Sequence, residues 1–430
     1  MSDAQISPLA EVANWAKDAR DEDSKRYFYH FSDVSLIERG SKNYVIGRKG
    51  TGKTAIAEYI RLNNTGLSRL LSFKNFPFNL LYNSSDGAYT APNQYITIWE
   101  YVIYTCVCNM MSGNSRINYD AQEKLRKLFD FDIENALPNA IRRLTDRGFG
   151  INLFGIGGNI AARTGHNVAE IPISTRKDVV EKFIADNIDD SNYYILFDAL
   201  DEDYKDILQP DRKQGYFDLL VGLFKAAQNV RFALRGQVAA NIVPVIFLRD
   251  EIFDLCRDPD KNKWLDRAIL LNWSPTQLQS LIAFRLSRAL DPRGEAIPFA
   301  TIWPRFLRSL QYRGRSKRRP EELFKVMLRS TFNRPRDMIN YVRECADVAV
   351  NLGEPLVTNE MLREADAQQS NYMRREVIDE VYSVVDDISE ILDMLWKWGS
   401  QFFQFASSNG STRNTLSRQG KPEASTPRHC

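Results

Sequence analysis

The sequence predicts an α/β fold with a parallel sheet, followed by an all-helical lid and C-terminal region. Short apolar runs typical of buried strands alternate with helical patterns up to about residue 250, and helical patterns alone follow to about residue 398. A glycine-rich loop joins one of the first strands to a long helix. Such alternation is typical of a parallel sheet that is covered by helices on both faces.

Composition narrows the class of protein. The 430 residues are 43% hydrophobic and 26% charged, as in ordinary globular domains. The five cysteines form no paired framework, and the first ten residues have neither a basic start nor an apolar run, which argues against a secreted protein. No run approaches the roughly 18 apolar residues of a membrane helix. We therefore expect a cytoplasmic protein with no membrane partner.

The elements divide the chain into four expected parts. Residues 1–40 form a helical N-terminal lead-in, and residues 41–270 form the α/β domain, with an insertion at about 110–175. Within that domain we expect a strand near Phe76–Tyr82 and a buried helix near Ile96–Met111. Residues 271–400 form the helical lid and C-terminal helices. Residues 401–430 are mostly serine, threonine, asparagine, glycine and arginine, and we expect a disordered tail because they offer little apolar surface to bury.

The glycine loop follows the apolar strand Tyr44-Val45-Ile46. Its glycines let the backbone curl so that amide groups point inward at phosphates, and the following helix directs its positive end at the same place. This strand–loop–helix context predicts a P-loop NTPase domain that binds ATP rather than a chance match. Lys53 is expected to reach the β- and γ-phosphates, and the Thr54 hydroxyl to hold Mg²⁺. The predicted nucleotide-binding residues of the loop are Gly47, Arg48, Lys49, Gly50, Thr51, Gly52, Lys53 and Thr54.

A second motif follows the apolar run Tyr193–Phe197, which ends at Asp198. Carboxyl ends of parallel strands are where open α/β sheets bind ligands, so Asp198 is predicted to hold Mg²⁺ through a water. Asp201 and Glu202 come shortly after, and one of them should orient and polarise the attacking water. We favour Glu202 for that role. The alternative is a strand-end turn with solvated acids.

Arg249 ends the apolar strand Val245–Leu248. If that strand neighbours the strand that ends at Asp198, the Arg249 cation lies where it could sense the γ-phosphate. An ion pair with Asp250 or Glu251 is an equally good interpretation.

Arg334 and Arg336 open a predicted helix that continues to Val350. Two arginines at the positive end of a helix are electrostatically unfavourable unless an anion compensates them, and Asp337 compensates one. Bound phosphates are a natural second anion, and Arg336 is our choice for that contact. The alternative is an exposed arginine without a role.

A basic stretch extends from Arg305 to Arg336 in a chain whose formal net charge is only +2. Its densest part is Arg315–Arg319, where four of five positions are cationic. Such a concentration of charge could bind the phosphate backbone of nucleic acid. A solvated loop, or a surface that meets an acidic face of another subunit, explains it equally well.

These motifs resemble those of a known family. Asp198-Ala199-Leu200-Asp201-Glu202 is similar to the extended acidic motif of NACHT-type ATPases, which belong to the STAND class within the AAA+ group. Leu248-Arg249 resembles their sensor strand, the segment from Asn272 to Arg285 the start of their helical lid, and Arg334–Asp337 a second sensor region. The likeness spans roughly Phe28 to Val350 and is greatest to bacterial P-loop ATPases that resemble phage-defence or DNA-processing components.

The resemblance implies a function. The cofactors would be ATP and Mg²⁺, and slow hydrolysis would drive a nucleotide-dependent switch in bacterial defence or signalling. Its partners would be an effector or sensor protein and further copies of the chain, which assemble when ATP binds. The alternative is a DNA-binding ATPase of the loader or DNA-processing type, which would use the basic stretch.

Overall fold

The structure, a computed structural model, describes residues 8–82, 90–131, 133–135, 137–145, 172–201, 210–234, 236, 241–309, 311–312, 321–382, 385 and 387–398. The chain divides into two compact units, Met1–Met373 and Arg374–Cys430. The second unit contains the end of the helix Asn359–Val381 and a helix over residues 388–398. Within it, Arg374 donates to Asp393 Oδ1 at 2.8 Å. The predicted tail at 401–430 lies outside the described residues.

The first unit is built on a five-stranded sheet in the order β2-β3-β4-β1-β5. All four neighbouring pairs are parallel, which confirms the predicted α/β architecture with a parallel sheet. The strands are β1 Tyr44–Ile46, β2 Ser68–Ser72, β3 Asn192–Asp198, β4 Asn241–Leu248 and β5 Ala268–Leu270.

The three inner strands are buried on both faces. Successive side chains point to opposite faces, so Tyr193, Ile195 and Phe197 enter one apolar cluster, while Tyr194 and Leu196 enter another. On the first face, the Trp99 ring meets Phe197 edge-on at 5.7 Å between centroids. Covering both faces explains why the sequence shows these strands as continuous apolar runs.

One strand prediction was wrong. A strand expected near Phe76–Tyr82 is replaced by irregular chain and a short helix, Asn79–Tyr82, and the strand of this region is Ser68–Ser72. Phe76 and Phe78 are buried in the same aromatic cluster as Phe73, so their apolar character reflects core packing rather than strand pairing. The true strand is an edge strand, whose two serines and one arginine weaken its apolar signal.

Helices surround the sheet, and two of them, Tyr119–Leu128 and Leu137–Thr145, lie in the region predicted as an insertion. The buried helix predicted at Ile96–Met111 is present as Ile96–Gly113. In the described part of the chain up to residue 265, the other α-helices are Pro8–Ala13, Ser24–Tyr27, Ser32–Glu38, Lys53–Asn63, Ile173–Asn187, Pro210–Ala233, Asp250–Leu255 and Lys261–Leu265.

The region after the sheet is mainly helical, as predicted. Its described residues also include a short antiparallel pair of two-residue strands, β6 Gln311–Tyr312 and β7 Glu321–Glu322. Ser274 and Gln277 form the capping box that begins the first helix there. The helices are Pro275–Leu290, Phe299–Ile302, Leu323–Arg329, Pro335–Asn351 and Asn359–Val381. Their apolar core also contains Leu9, Val12, Trp15 and Tyr27 of the N-terminal segment.

Candidate functional site

The glycine loop lies at the carboxyl edge of the sheet, between β1 and the helix Lys53–Asn63. Gly50 and Gly52 have φ of +83° and +102°, a left-handed conformation that side chains disfavour. A Cβ at Gly47 would lie 2.9 Å from Leu271 Cβ, closer than real Cβ contacts come. Glycine is therefore required at these positions for the chain to curl at this edge.

Lys53 folds back over the loop. Its Nζ donates to the carbonyl oxygens of Gly47 at 2.6 Å and Arg48 at 2.9 Å. Burial lowers the pKa of Lys53 from 10.5 to about 8, against the opposing influence of the Asp201 carboxylate. The ammonium group is thus held within the loop, where an anionic ligand would raise its pKa again.

Thr54 and Asp198 bring the two predicted motifs together. The Thr54 hydroxyl donates to Asp198 Oδ2 at 3.0 Å. Asp198 is 3% exposed, and burial raises the pKa of its carboxyl group, while the Thr54 hydrogen bond lowers it. The next residue, Ala199, has φ of +58°, so the chain turns sharply after the strand. A hydroxyl and a carboxylate are the hard oxygen donors that Mg²⁺ takes alongside water and phosphate, so these two residues fit that ion.

Arg249 is held by two acids at the same edge. Strand β4 lies between β1 and β3, so Arg249 at its end comes between the glycine loop and Asp198. Arg249 Nη1 lies 3.4 Å from Asp201 Oδ2, and Nε lies 2.6 Å from Glu251 Oε1. Burial raises the pKa of Glu251 to about 6. The neighbouring strands and the ion pair with Glu251 are thus both present, while a contact of Arg249 with the γ-phosphate stays a prediction. Glu202 lies outside the described residues.

The helix Pro335–Asn351 begins against the glycine loop. The Arg336 amide donates to the Gly50 carbonyl oxygen at 3.2 Å, and Arg334 Nη1 donates to the Lys49 carbonyl oxygen at 3.3 Å. Arg334 Nε also pairs with Asp337 Oδ2 at 2.6 Å, and Arg334 and Asp337 are 1% and 0% exposed. Asp337 thus compensates Arg334, as the sequence suggested, while Arg336 is next to the loop through its backbone.

Two further residues at the site were not predicted. Trp273 Nε1 donates to the Thr51 carbonyl oxygen at 3.0 Å. Arg20, in the N-terminal segment, lies with Nη2 3.6 Å from Asp198 Oδ2 and donates to Ser72 Oγ at 3.2 Å. The position of Trp273, directly before a capped helix, was a usable signal, whereas nothing in the local sequence distinguishes Arg20.

The densest part of the basic stretch, Arg315–Arg319, lies outside the described residues. Of the flanking cations, Arg308 is paired with Glu354 at 3.2 Å and Lys325 with Glu322 at 3.1 Å, and Arg329 is paired with Glu321. Part of the local positive charge is therefore neutralised within the chain. No helix in the described ranges is both long enough and apolar enough to span a membrane.

Comparison with known proteins identifies a family domain and a relative. Residues 276–378, which include Arg334 and Arg336, match the FunZ-associated C-terminal helical domain. The chain is also 26% identical over 349 residues to a protein of Escherichia coli (strain K12) named "Putative transposon gamma-delta 80.3 kDa protein". That alignment covers 72% of this chain and 43% of the relative, so the chain spans less than half of the relative's length.

Proposed function

We propose that this chain is a P-loop NTPase that binds ATP with Mg²⁺ and hydrolyses it. The observation that carries the proposal is the hydrogen bond of 3.0 Å between Thr54 and Asp198, residues 144 positions apart. If the glycine loop were only a structural turn, nothing in its geometry would call for a hydroxyl next to a buried carboxylate at the ligand-binding edge of a parallel sheet. A Mg²⁺ ion bound to phosphates, by contrast, takes oxygen ligands of both kinds at that edge.

The other residues have roles that follow from their positions. Lys53, now bonded to the Gly47 and Arg48 carbonyl oxygens, would turn its ammonium to the phosphates. Arg249, at the end of β4, would supply positive charge near the terminal phosphate. Asp201 or Glu202 would orient the attacking water, as general-base catalysis requires. Bound Mg²⁺ would neutralise the charge that develops on the phosphates.

We propose that hydrolysis drives a switch of the STAND or NACHT type. Trp273, Arg334 and Arg336 all bond to carbonyl oxygens of the glycine loop, so the helical region is in direct contact with the part that would hold phosphate. ATP can drive such a switch only if it binds two conformations of the protein with different affinities. The contacts between the helical region and the glycine loop provide a physical basis for that difference. The output of the switch would be self-assembly, or contact with an effector or sensor protein, in the cytoplasm.

Nucleotide titration by calorimetry tests the ATPase proposal. The parent chain should bind ATP more tightly with Mg²⁺ than with a chelator. Lys53→Ala should abolish tight binding because the loop loses the ammonium group that would turn to the phosphates. Lys25→Ala is a matched control, since Lys25 is exposed and lies in the N-terminal segment. Unchanged affinity in a folded Lys53→Ala variant would contradict the proposal.

A DNA-linked ATPase is the second candidate. Two observations favour it: the concentration of cations at Arg315–Arg319 and the name of the E. coli relative, which attaches that protein to a transposon. Neutralising Arg315, Lys317, Arg318 and Arg319 should flatten the salt dependence of DNA affinity by nearly one unit of slope for each phosphate that is no longer neutralised. ATP binding should persist. Negligible DNA affinity of the parent at low salt, with and without ATP, would leave the protein-partner switch as the better account.

A further inference from the structure

The Arg20 guanidinium lies beside the buried carboxylate of the candidate metal site. Its Nη2 is 3.6 Å from Asp198 Oδ2, the same oxygen that accepts the Thr54 hydrogen bond. Nη2 also donates to Ser72 Oγ at 3.2 Å, and Ser72 is paired with Asp198 in the register of β2 and β3. Arg20 is therefore attached to the sheet edge at two points, one of them ionic.

Residues 18–26, which we call the strap, are also tied to the helical region. Glu22 forms a bidentate pair with Arg285 of the helix Pro275–Leu290, and one of its two hydrogen bonds is 2.9 Å long. Arg285 is 2% exposed, and its guanidinium lies 4.6 Å from the centre of the Trp15 ring. Arg26 Nη2 donates to the Arg288 carbonyl oxygen at 2.9 Å. The strap thus reaches from Asp198 to a helix of the region that matches the FunZ-associated domain.

Electrostatics makes the Arg20 contact dependent on the metal. A carboxylate as buried as Asp198 needs a cation nearby if it is to stay ionised. Arg20 and Lys53 both favour its ionised form, and Arg20 lies within ion-pair distance of it. A divalent ion held by Thr54 and Asp198 would bring two more positive charges next to the guanidinium, and the two cations would repel each other. Mg²⁺ at this site would therefore weaken the attraction between Arg20 and Asp198.

We propose that Arg20 is an internal counter-ion that competes with Mg²⁺ for Asp198, and that its displacement moves the strap and so reports the metal to the helix Pro275–Leu290. The inference rests on the proposed function, because it takes the Thr54–Asp198 pair as a Mg²⁺ site. It adds a regulatory contact to that site. When Mg²⁺ replaces Arg20 beside Asp198, the movement of Arg20 is transmitted to the helix Pro275–Leu290, because the Glu22–Arg285 pair attaches the strap to that helix.

The test is a titration of Mg²⁺ at a fixed concentration of a fluorescent, non-hydrolysable ATP analogue. Arg20→Gln removes the competing charge, so half-saturation should fall to a Mg²⁺ concentration on the order of tenfold lower, the size of effect that one adjacent charge has on a carboxylate equilibrium. Arg20→Lys keeps the charge and should stay near the parent. Lys25→Ala removes an exposed cation of the strap and should also stay near the parent.

Hydrogen exchange of the parent chain gives a second readout, which requires neither ATP hydrolysis nor a folded variant. In the parent, backbone amides of residues 18–26 should exchange faster with Mg²⁺ and the analogue than with the analogue and a chelator. In Arg20→Gln the difference should largely disappear, because the strap is already released from Asp198.

The outcomes separate the two proposals. A parent chain with no Mg²⁺-dependent binding of the analogue overturns the proposed function and this inference with it. Mg²⁺-dependent binding in the parent, with the same half-saturation in Arg20→Gln, overturns the inference alone. A higher Mg²⁺ requirement in Arg20→Gln also overturns it, because Arg20 would then help to hold the nucleotide.

Discussion

Arg334 Nη1 donates to the Lys49 carbonyl oxygen at 3.3 Å, across 285 positions of sequence. The same guanidinium pairs through Nε with Asp337 Oδ2 at 2.6 Å. Both side chains are almost fully buried. A buried ion pair at the start of a helix therefore positions a hydrogen-bond donor on the glycine loop, and the loop and the helical region depend on each other.

Asp337→Ala should lower the free energy of unfolding by about 3–5 kcal/mol, since it leaves the Arg334 cation buried without its carboxylate partner. Urea unfolding followed by tryptophan fluorescence measures the change. Asp21→Ala, which removes an exposed acid from the N-terminal segment, is the control and should change stability by less than about 0.5 kcal/mol. Equal effects of the two substitutions would show that the Arg334–Asp337 pair has no special structural role.

Thr54→Ala and Asp198→Ala should each weaken the Mg²⁺-dependent part of ATP affinity, because each deletes one of the two oxygen-bearing groups that meet at 3.0 Å. ATP affinity measured in the presence of a chelator should change little, since Lys53 and the loop amides remain. Calorimetry with and without Mg²⁺ separates the two parts. An equal loss of affinity in both conditions would indicate that the substitutions disturb the loop rather than the ion.

Glu202→Gln should keep ATP bound but slow hydrolysis by at least on the order of 10², since binding does not need a base and activation of water does. Phosphate release under single-turnover conditions gives the rate, and nucleotide titration gives the affinity. Asp201→Asn is the matched comparison, because Asp201 also approaches Arg249 at 3.4 Å. If Asp201→Asn stops turnover and Glu202→Gln does not, the base is Asp201.

ATP affinity should fall as pH rises above about 8, the pKa to which burial lowers Lys53. Above that pH the free protein has a largely neutral amine. Phosphate favours the ammonium form and raises its pKa, so binding must take up a proton. In the protein without ATP, the lowered pKa of Lys53 affects folding in the opposite direction. Because the fold disfavours the charged amine, the free energy of unfolding is reduced below about pH 8, and this reduction is relieved as pH rises from about 8 toward 10.5.

Calorimetry at pH 7 and pH 9, in buffers of different ionisation enthalpy, measures this proton uptake. Lys53→Arg keeps the positive charge at all accessible pH values and should show no uptake at pH 9. Uptake of equal size in the parent and in Lys53→Arg would assign the proton to another group.

Much of the fold and part of the candidate site could be predicted because the signals are local. Tyr44–Thr54 carries strand, glycine loop and helix start within a few residues, and β3 and β4 are continuous apolar runs because both of their faces are covered. The capping box at Ser274 and Gln277 is likewise set by residues three positions apart. In each case, backbone geometry or burial constrains neighbouring residues directly.

The contacts that complete the candidate site were decided only by the tertiary structure. Arg20 meets Asp198, Trp273 meets Thr51 and Arg334 meets Lys49, and each pair lies on segments far apart in the sequence. β2 and β5 were missed for a related reason: they are edge strands of five and three residues, identified by their partners rather than by their own pattern. Local sequence specifies backbone conformation and burial, whereas charge pairing and strand order depend on which surfaces the packed chain brings together.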